Sequence, residues 1–276
     1  AAPVVLVVIA SWALLLGLWW RSARGPAPAS RVPVVAVLPF ANNSTSADGP
    51  IAAGMRDVLI ANLGALPGIS VLSRAATSAE SPGRDDPRRL ARDLGASHLI
   101  DGSLQRSGSD LKVTISLVNV ATGLVLWSRS YSAPEKDIFS LQERIAEGIA
   151  RAGPIGTSGA AQALDSKRGT NDVEALSRYG QAVEALERPD IPGNLQRAAG
   201  SLRAAIDRDP NLALAFARLG DAYWATYQAT SEPKWATEAV TATNKALTLD
   251  QQQPDVWISL ARIHQGTGRR EDALNE

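Results

Sequence analysis

After residue 32, the spacing of the apolar residues changes once along this chain of 276 residues. From about residue 33 to about residue 151, short apolar runs alternate with single helical stripes, whereas from about residue 171 onward the apolar residues follow helical spacing alone. Side chains repeat every two residues in a strand and about every 3.6 residues in a helix. We therefore predict an α/β domain over residues 33–151, a linker over 152–170 and an all-α region over 171–276.

Five segments of the α/β domain carry strand patterns. Residues 34–38 are apolar throughout, which is typical of a strand buried on both faces, whereas residues 111–120 alternate and predict one buried and one wet face. The other predicted strands are 69–72, 98–105 and 124–131, and the predicted helices are 51–66, 88–94 and 137–149. In the first helix we expect a single apolar stripe formed by Ile51, Met55, Val58, Leu59, Leu63 and Leu66. The pattern predicts a mixed sheet of about five strands with helices packed on it.

No charged side chain occurs from Ala1 to Trp20. About 20 apolar residues, each rising about 1.5 Å, cross a hydrocarbon core of roughly 30 Å, so residues 1–20 predict a transmembrane helix in contact with a membrane. A signal peptide and a buried core helix are disfavoured, because no small-residue cleavage site is visible and the stretch is apolar on all faces. Residues 21–32 predict a Pro/Ala-rich linker, in which Arg21, Arg24 and Arg31 favour a cytoplasmic C-terminal side.

Aromatic and small residues recur in the all-α region at the offsets of a repeat of about 34 residues. They are Ala198, Leu202, Ala205 and Pro210 in the first unit; Phe216, Leu219, Gly220, Tyr223, Ala239 and Ala246 in the second; and Trp257, Leu260, Ala261, Gly268 and Ala273 in the third. Residues 171–276 therefore resemble tetratricopeptide (TPR) repeats. The resemblance implies an α-solenoid whose surface binds protein or peptide partners. Because the last helical pattern ends without a cap, we expect a truncated repeat and a fragment of a longer protein.

Four strings of the α/β domain carry a second resemblance, at residues 35–42, 67–74, 94–104 and 122–128. In this order they resemble the TolB amino-terminal or FlgO-like domain, over about residues 34–150. The resemblance implies a module in the middle of large bacterial proteins, after a protein kinase, nucleotide cyclase or winged-helix domain and a membrane helix, and before TPR repeats. It implies no catalytic residue in the module.

Composition excludes several kinds of site. Lys plus Arg and Asp plus Glu number 28 each, so the uniformly basic field that favours nucleic acid is missing and we expect no nucleic-acid partner. The chain has no cysteine and only two histidines, His98 and His264, which excludes thiolate sites and a zinc held by several imidazoles. Neither common phosphate-binding glycine motif occurs. We expect no metal and no cofactor.

A few polar residues are candidates for chemistry, each with a structural alternative that we favour. His98 begins a strand and is interpreted as a packing residue rather than a catalytic one. Asp101 is interpreted as making a strand-end hydrogen bond rather than acting as a general acid or base. Asn42, Asn43 and Ser44 follow the first strand, where open α/β sheets place ligands, but they also fit an ordinary polar loop. We therefore predict no catalytic, cofactor-binding or metal-binding residue.

Together these patterns predict the non-catalytic sensory or protein-interaction region of a membrane-anchored bacterial signalling protein. The resemblance implies a single-pass inner-membrane location with a periplasmic soluble part, and a serine/threonine protein kinase as the first expectation for the missing catalytic part. An adenylate cyclase, a winged-helix transcriptional regulator and a periplasmic assembly factor without enzyme activity are the alternatives. Self-association is left open. The residues predicted to contribute to a partner surface on the repeats are Arg218, Asp221, Trp224, Tyr227 and Gln228.

Overall fold

The sheet combines parallel and antiparallel strands. The computed structural model describes residues 32–78, 86–152, 169–252 and 254–268. Within them the strands are β1 (Val34–Val37), β2 (Ala41–Asn42), β3 (Ser70–Val71), β4 (His98–Ser107), β5 (Asp110–Asn119) and β6 (Val125–Pro134). Their order is β3-β1-β4-β5-β6, and the short β2 also pairs with β4. Strand β1 is parallel to β3 and β4, whereas β4, β5 and β6 are antiparallel. All five predicted strands are present.

Turn glycines fix the two hairpins of the antiparallel part. Gly108 lies between β4 and β5 with φ of 61°, and Gly123 lies between β5 and β6 with φ of 75°. This left-handed region suits glycine because it has no Cβ. Between the turns, alternate residues of β5 face the core and are fully buried: Leu111, Val113, Ile115 and Leu117. The predicted alternation of β5 is therefore confirmed.

Helices cover both faces of the sheet and continue beyond it. In the described ranges they are α1 (Gly49–Gly64), α2 (Pro87–Asp93), α3 (Ile138–Ala150), α4 (Val173–Glu187), α5 (Asn194–Arg208), α6 (Ala213–Thr230), α7 (Pro233–Leu249) and α8 (Pro254–Gly266). Helices α1 and α3 pack on one face of the sheet, and the smaller core around Ala36, Ala91 and Leu99 lies on the other. Helix α4 packs with α5, α6 with α7, and α8 with α7.

The predicted fold class needs one correction, which concerns the transmembrane helix. No helix in the described ranges has both the length and the apolar character needed to cross a membrane. The longest of them, α6, has 18 residues and carries Arg218 and Asp221. The predicted span, residues 1–20, lies outside the described residues, as do most of both predicted linkers. The transmembrane helix, its membrane contact and the single-pass inner-membrane location are therefore not retained.

Helix α1 differs from the predicted helix with a single apolar stripe. Nearly all of its residues from Ile51 to Leu63 are buried, because the sheet covers one side and α4 covers another. A Cβ at Gly54 would lie 2.9 Å from the backbone oxygen of Leu176 in α4, and a Cβ at Gly180 would overlap the carbonyl oxygen of Pro50. These two glycines allow α1 and α4 to approach closely. One apolar core consequently runs from the sheet into the helical region.

Candidate functional site

Charged side chains are buried where α1 meets helices α4 and α6. We call this set the charge cluster, and its members are Arg56, Asp57, Arg74, Tyr179, Glu187 and Arg218. Arg56 is 2% exposed and Asp57 is 1% exposed. Burying a charge is costly unless the charge is paired and hydrogen-bonded. The partners of each group therefore decide whether the cluster is structural or reactive.

Asp57 of α1 binds two helices of the all-α region. Nε and Nη2 of Arg218 donate to its two carboxylate oxygens over 3.1 Å each, and the Tyr179 hydroxyl donates to Oδ2. Nε of Arg74 lies 3.8 Å from Oδ1. Burial raises the pKa of the Asp57 carboxyl, but the positive charges of Arg218 and Arg74 outweigh burial and lower this pKa to about 2. At neutral pH Asp57 is an anion with both oxygens engaged.

Arg56 ties α1 to the carboxyl end of β1. Its Nη2 donates to the carbonyl oxygen of Val37 over 3.1 Å and to the carbonyl oxygen of Thr77 over 2.9 Å. Burial, followed by the charge of Arg74, lowers the pKa of Arg56 to about 10, so its guanidinium stays protonated at neutral pH. Ligands of open α/β sheets commonly bind outside the carboxyl ends of the strands. In this protein an arginine of the chain itself occupies that position.

Glu187, at the end of α4, supplies the second carboxylate of the cluster. Its Oε1 accepts a hydrogen bond from Nη2 of Arg74 over 2.7 Å and lies 3.7 Å from Nη1 of Arg56. Burial, together with the charge of Asp57, raises the pKa of Tyr179 well above its usual value, so the hydroxyl remains a donor. The pKa values of Asp57, Tyr179 and Arg56 all lie far from neutrality. The cluster is therefore suited to holding elements together rather than to transferring protons.

Most of the predicted partner surface on the repeats is used inside the protein. Arg218 donates to Asp221 over 3.1 Å as well as to Asp57. Trp224 is 5% exposed, and the ring of Tyr227 lies 5.1 Å from it between centroids. Gln228 is exposed. The face of α6 that carries Arg218 is thus turned toward α1 of the sheet domain.

The candidate residues on β4 lie apart from the charge cluster. His98 is 8% exposed, and its Nδ1 lies 2.9 Å from the Ser97 hydroxyl. Burial lowers the pKa of His98. Asp101 is exposed and stands opposite Ser116 of β5 in the strand register. Among the residues that the structure describes, no hydrogen bond or ion pair joins either candidate to another titratable side chain.

The polar loop after β1 bonds largely to itself. The side chain of Asn42 accepts a hydrogen bond from the backbone N–H of Ser44 over 3.0 Å and donates to the carbonyl oxygen of Thr45 over 2.6 Å. The Ser44 hydroxyl accepts from the backbone N–H of Arg106 in β4. These contacts are typical of an Asx-type turn. In the parts of the chain that the structure describes, no group of three or more His, Asp or Glu side chains is arranged to hold a metal ion.

Sequence reasoning missed the charge cluster, although one local signal was present. Arg56 and Asp57 are adjacent charged residues in the middle of the apolar helix pattern at 51–66. Such a pair on a helix that packs against a sheet indicates buried partners elsewhere in the chain. Two of these partners, Tyr179 and Arg218, lie 122 and 161 positions from Asp57 and carry no motif.

Comparison with known proteins matches two overlapping parts of the chain. Residues 30–148 match the family model of the HilA/YgeH-like transcriptional regulator, second domain. Over 199 residues the chain is 26% identical to a protein of Rhizobium meliloti (strain 1021) that is provisionally named adenylate cyclase 3. That match covers 72% of this chain and 34% of the relative. The chain thus spans about a third of the length of this curated relative.

Solved structures show weaker likenesses. TolB from Acinetobacter baumannii is 14% identical with a TM-score of 0.34, over 44% of this chain and 28% of the TolB chain. Lipoprotein GNA1162 from Neisseria meningitidis is 20% identical with a TM-score of 0.34, over 44% of this chain and 98% of that chain.

The matches support the predicted recognition in part. The regulator-domain match covers the region predicted to resemble the TolB amino-terminal or FlgO-like domain. An adenylate cyclase and a transcriptional regulator, two of the predicted alternatives, each correspond to one match. Neither match supports the serine/threonine kinase that the resemblance led us to expect first, and neither shows the TPR repeats.

Proposed function

We propose that this chain is the non-catalytic, protein-binding part of a longer bacterial signalling protein whose catalytic part is an adenylate cyclase. The relative named adenylate cyclase 3 supports this proposal, because the aligned 199 residues are only 34% of its length. An alignment of this length does not fit within residues 30–148, so the likeness extends beyond the region that matches the regulator domain. A transcriptional regulator is the second candidate, and the family match at residues 30–148 favours it.

The observation that carries the proposal is the bridge from Asp57 to the helical region. Arg218 of α6 and Tyr179 of α4 both bind this one carboxylate of α1, and all three side chains are largely buried. Ser259 of α8 continues the bridge by donating to Asp221 over 2.7 Å. Because the sheet and the helices share buried charges, a partner that binds either one acts on a single body. This is the property expected of a regulatory module rather than of a flexible spacer.

In this proposal the helical region consists of TPR repeats. Four of the small residues at the predicted offsets are fully buried, and Ala261 is half-buried. The four are Ala198, Ala205, Ala239 and Ala246. A Cβ at Gly220 in α6 would lie 3.2 Å from the backbone oxygen of Ala239 in α7, so these helices pack closely as a hairpin. Helices α4, α6 and α8 all contact α1. Protein partners of the helical region therefore bind to surfaces other than the one that α1 covers.

An activity assay on two forms of the protein tests the proposal. We expect the 276-residue chain to form no cyclic AMP from Mg²⁺-ATP, and the longer natural protein to form it. Arg218→Gln in the longer protein is expected to change this activity, because it breaks the bridge to Asp57. Arg89→Gln is the matched control, since Arg89 is exposed on α2 and, in the described residues, its side chain pairs with the exposed Asp93. Cyclic AMP formation by the 276-residue chain would contradict the proposal, and sequence-specific DNA binding by the longer protein would favour the second candidate.

A further inference from the structure

A groove lies between the edge strand β6 and helix α3. Its volume is about 700 Å³. Trp127, Arg129 and Tyr131 line it from β6, and Arg144, Gly148 and Arg151 line it from α3 and the end of α3. We call it the basic groove. It lies on the sheet domain, away from the charge cluster.

The basic groove has more positive than negative charge. Its carboxylate, Glu147, accepts a hydrogen bond from Arg151 over 3.1 Å. Arg144 donates to the backbone oxygen of Ser132 over 3.3 Å, and its guanidinium carbon lies 5.6 Å from the centre of the Tyr131 ring. Among the described residues, neither Arg129 nor Arg144 is paired with a carboxylate. Two guanidinium groups are therefore available for an anionic ligand.

A second, independent observation is the hydroxyl of Tyr131. Tyr131 is 6% exposed, and its hydroxyl is buried without a hydrogen-bond partner in the described part of the chain. The hydroxyl lies against Gly148 in the wall of the groove, where a Cβ would overlap it. A buried hydroxyl without a partner is destabilising. The wall of the groove therefore contains a hydroxyl that no described group satisfies.

Strand β6 has backbone groups at its outer edge that can form hydrogen bonds with an added strand. It is 10 residues long and forms the end of the sheet, and in the described ranges its outer edge pairs with no other strand. The unpaired N–H and C=O groups of an edge strand are a template for another strand. Trp127, Arg129 and Tyr131 are two residues apart and share one face of β6, which matches the spacing of alternate side chains in an added strand.

We propose that the basic groove binds an extended acidic peptide segment of a partner protein, which adds as a strand to β6. Alternate carboxylates of the peptide pair with Arg129 and Arg144, and its backbone bonds to the free edge of β6. Leu124 and Val125, which are 63% and 61% exposed at the start of β6, contact an apolar residue at one end of the peptide. This inference deepens the proposed function and rests on it, because it identifies the class of protein partner.

Fluorescence anisotropy with the full 276-residue chain tests the inference. The probe is a fluorescein-labelled peptide of ten residues in which glutamate and threonine alternate. We expect saturable binding that weakens about tenfold with Arg129→Gln and with Arg144→Gln, because each variant removes one charge-assisted hydrogen bond. Arg89→Gln makes the same charge change outside the groove and is expected to leave binding unchanged. Far-UV circular dichroism verifies that each variant is folded.

Two further probes separate the parts of the inference. The first probe has glutamine in place of glutamate, and we expect at least a tenfold loss of affinity because this peptide lacks charge. The second probe has N-methyl groups on alternate backbone nitrogens, and we expect a similar loss because this peptide cannot extend the sheet. Equal binding of either peptide would overturn the inference. Full competition by inorganic phosphate at the peptide's own concentration would also overturn it, because it would indicate a small-anion site. These outcomes leave the cyclic AMP assay unaffected, so failure of the groove and failure of the proposed function are distinguishable.

Discussion

The charge cluster and the basic groove each contain three arginines, and the two sets have different surroundings. In the cluster, Arg218 binds Asp57, and Arg56 and Arg74 both lie near Glu187. In the groove, the ion pair among the described residues is Arg151 with Glu147, and both of these side chains are largely exposed. Arg218 also pairs with Asp221, so three carboxylates lie beside the three arginines of the cluster, whereas one carboxylate lies beside the three arginines of the groove. The groove therefore has positive charge left for a ligand outside the chain.

This difference shows that the role of an arginine is indicated by the groups that it pairs with, and not by the presence of the arginine alone. A buried guanidinium that two elements of the same chain satisfy stabilises their contact. An exposed guanidinium without a carboxylate costs little in the free protein, and its interaction energy is available for binding. The same substitution should therefore affect stability in the cluster and binding in the groove.

The largest expected effect comes from removing one arginine of the cluster. Arg218→Gln leaves Asp57 with one weaker cationic partner, and we expect it to lower the free energy of unfolding by about 3–5 kcal/mol. Arg129→Gln is the matched change in the groove and is expected to stay within about 0.5 kcal/mol of the parent protein. Urea unfolding followed by circular dichroism measures both. Similar losses for the two variants would remove the distinction between the cluster and the groove.

A smaller effect is expected from the two buried tyrosine hydroxyls. Tyr179→Phe removes a donor to the Asp57 carboxylate and should lower the free energy of unfolding by about 1.5–3 kcal/mol. Tyr131→Phe removes a hydroxyl that has no partner in the described residues, and should raise the free energy of unfolding by up to about 1 kcal/mol. The two variants differ from the parent by the same single atom, so their opposite signs in urea unfolding are the test. A loss for Tyr131→Phe as large as that for Tyr179→Phe would contradict it.

The pH dependence of the cluster gives a further test. The pKa of Asp57 in the folded state is lowered from 3.8 to about 2, so its charge stabilises the protein above about pH 4 and this contribution is lost as the pH falls toward 2. We expect the stability difference between the parent and Asp57→Asn to shrink by roughly 2 kcal/mol between about pH 5 and pH 2. A constant difference across this range would show that Asp57 does not titrate with a lowered pKa. Arg129→Gln is the control, because its effect should not change over the same range.

Local patterns were sufficient to predict five of the six strands in the described residues. The alternation of β5 depends on neighbouring residues, and the structure confirms it. Strand β2 was not predicted, because two residues give no periodic signal. The single stripe expected for α1 was wrong because its second buried side is built from Ala52, Gly54 and the charged pair, which carry no apolar period.

The charge cluster was beyond sequence reasoning for a physical reason. Asp57 bonds to Tyr179 across 122 positions and to Arg218 across 161 positions. No local spacing links residues so far apart, and their contact depends on how α1 packs between the sheet and the helices. Long-range packing also decides which residues of α6 are available to a partner. Arg218 and Trp224, two residues of the predicted partner surface, face the interior of the protein.

The most direct test of the coupling between sheet and helices is equilibrium unfolding in guanidinium chloride, with pulsed hydrogen exchange as the readout at each denaturant concentration. Peptides from β1 and α1 report on the sheet domain, and peptides from α4 to α7 report on the helical region. We predict that both sets lose protection at the same denaturant concentration, because the charge cluster and the shared core join them into one cooperative unit. Loss of protection in the helices while the sheet remains protected would contradict this coupling.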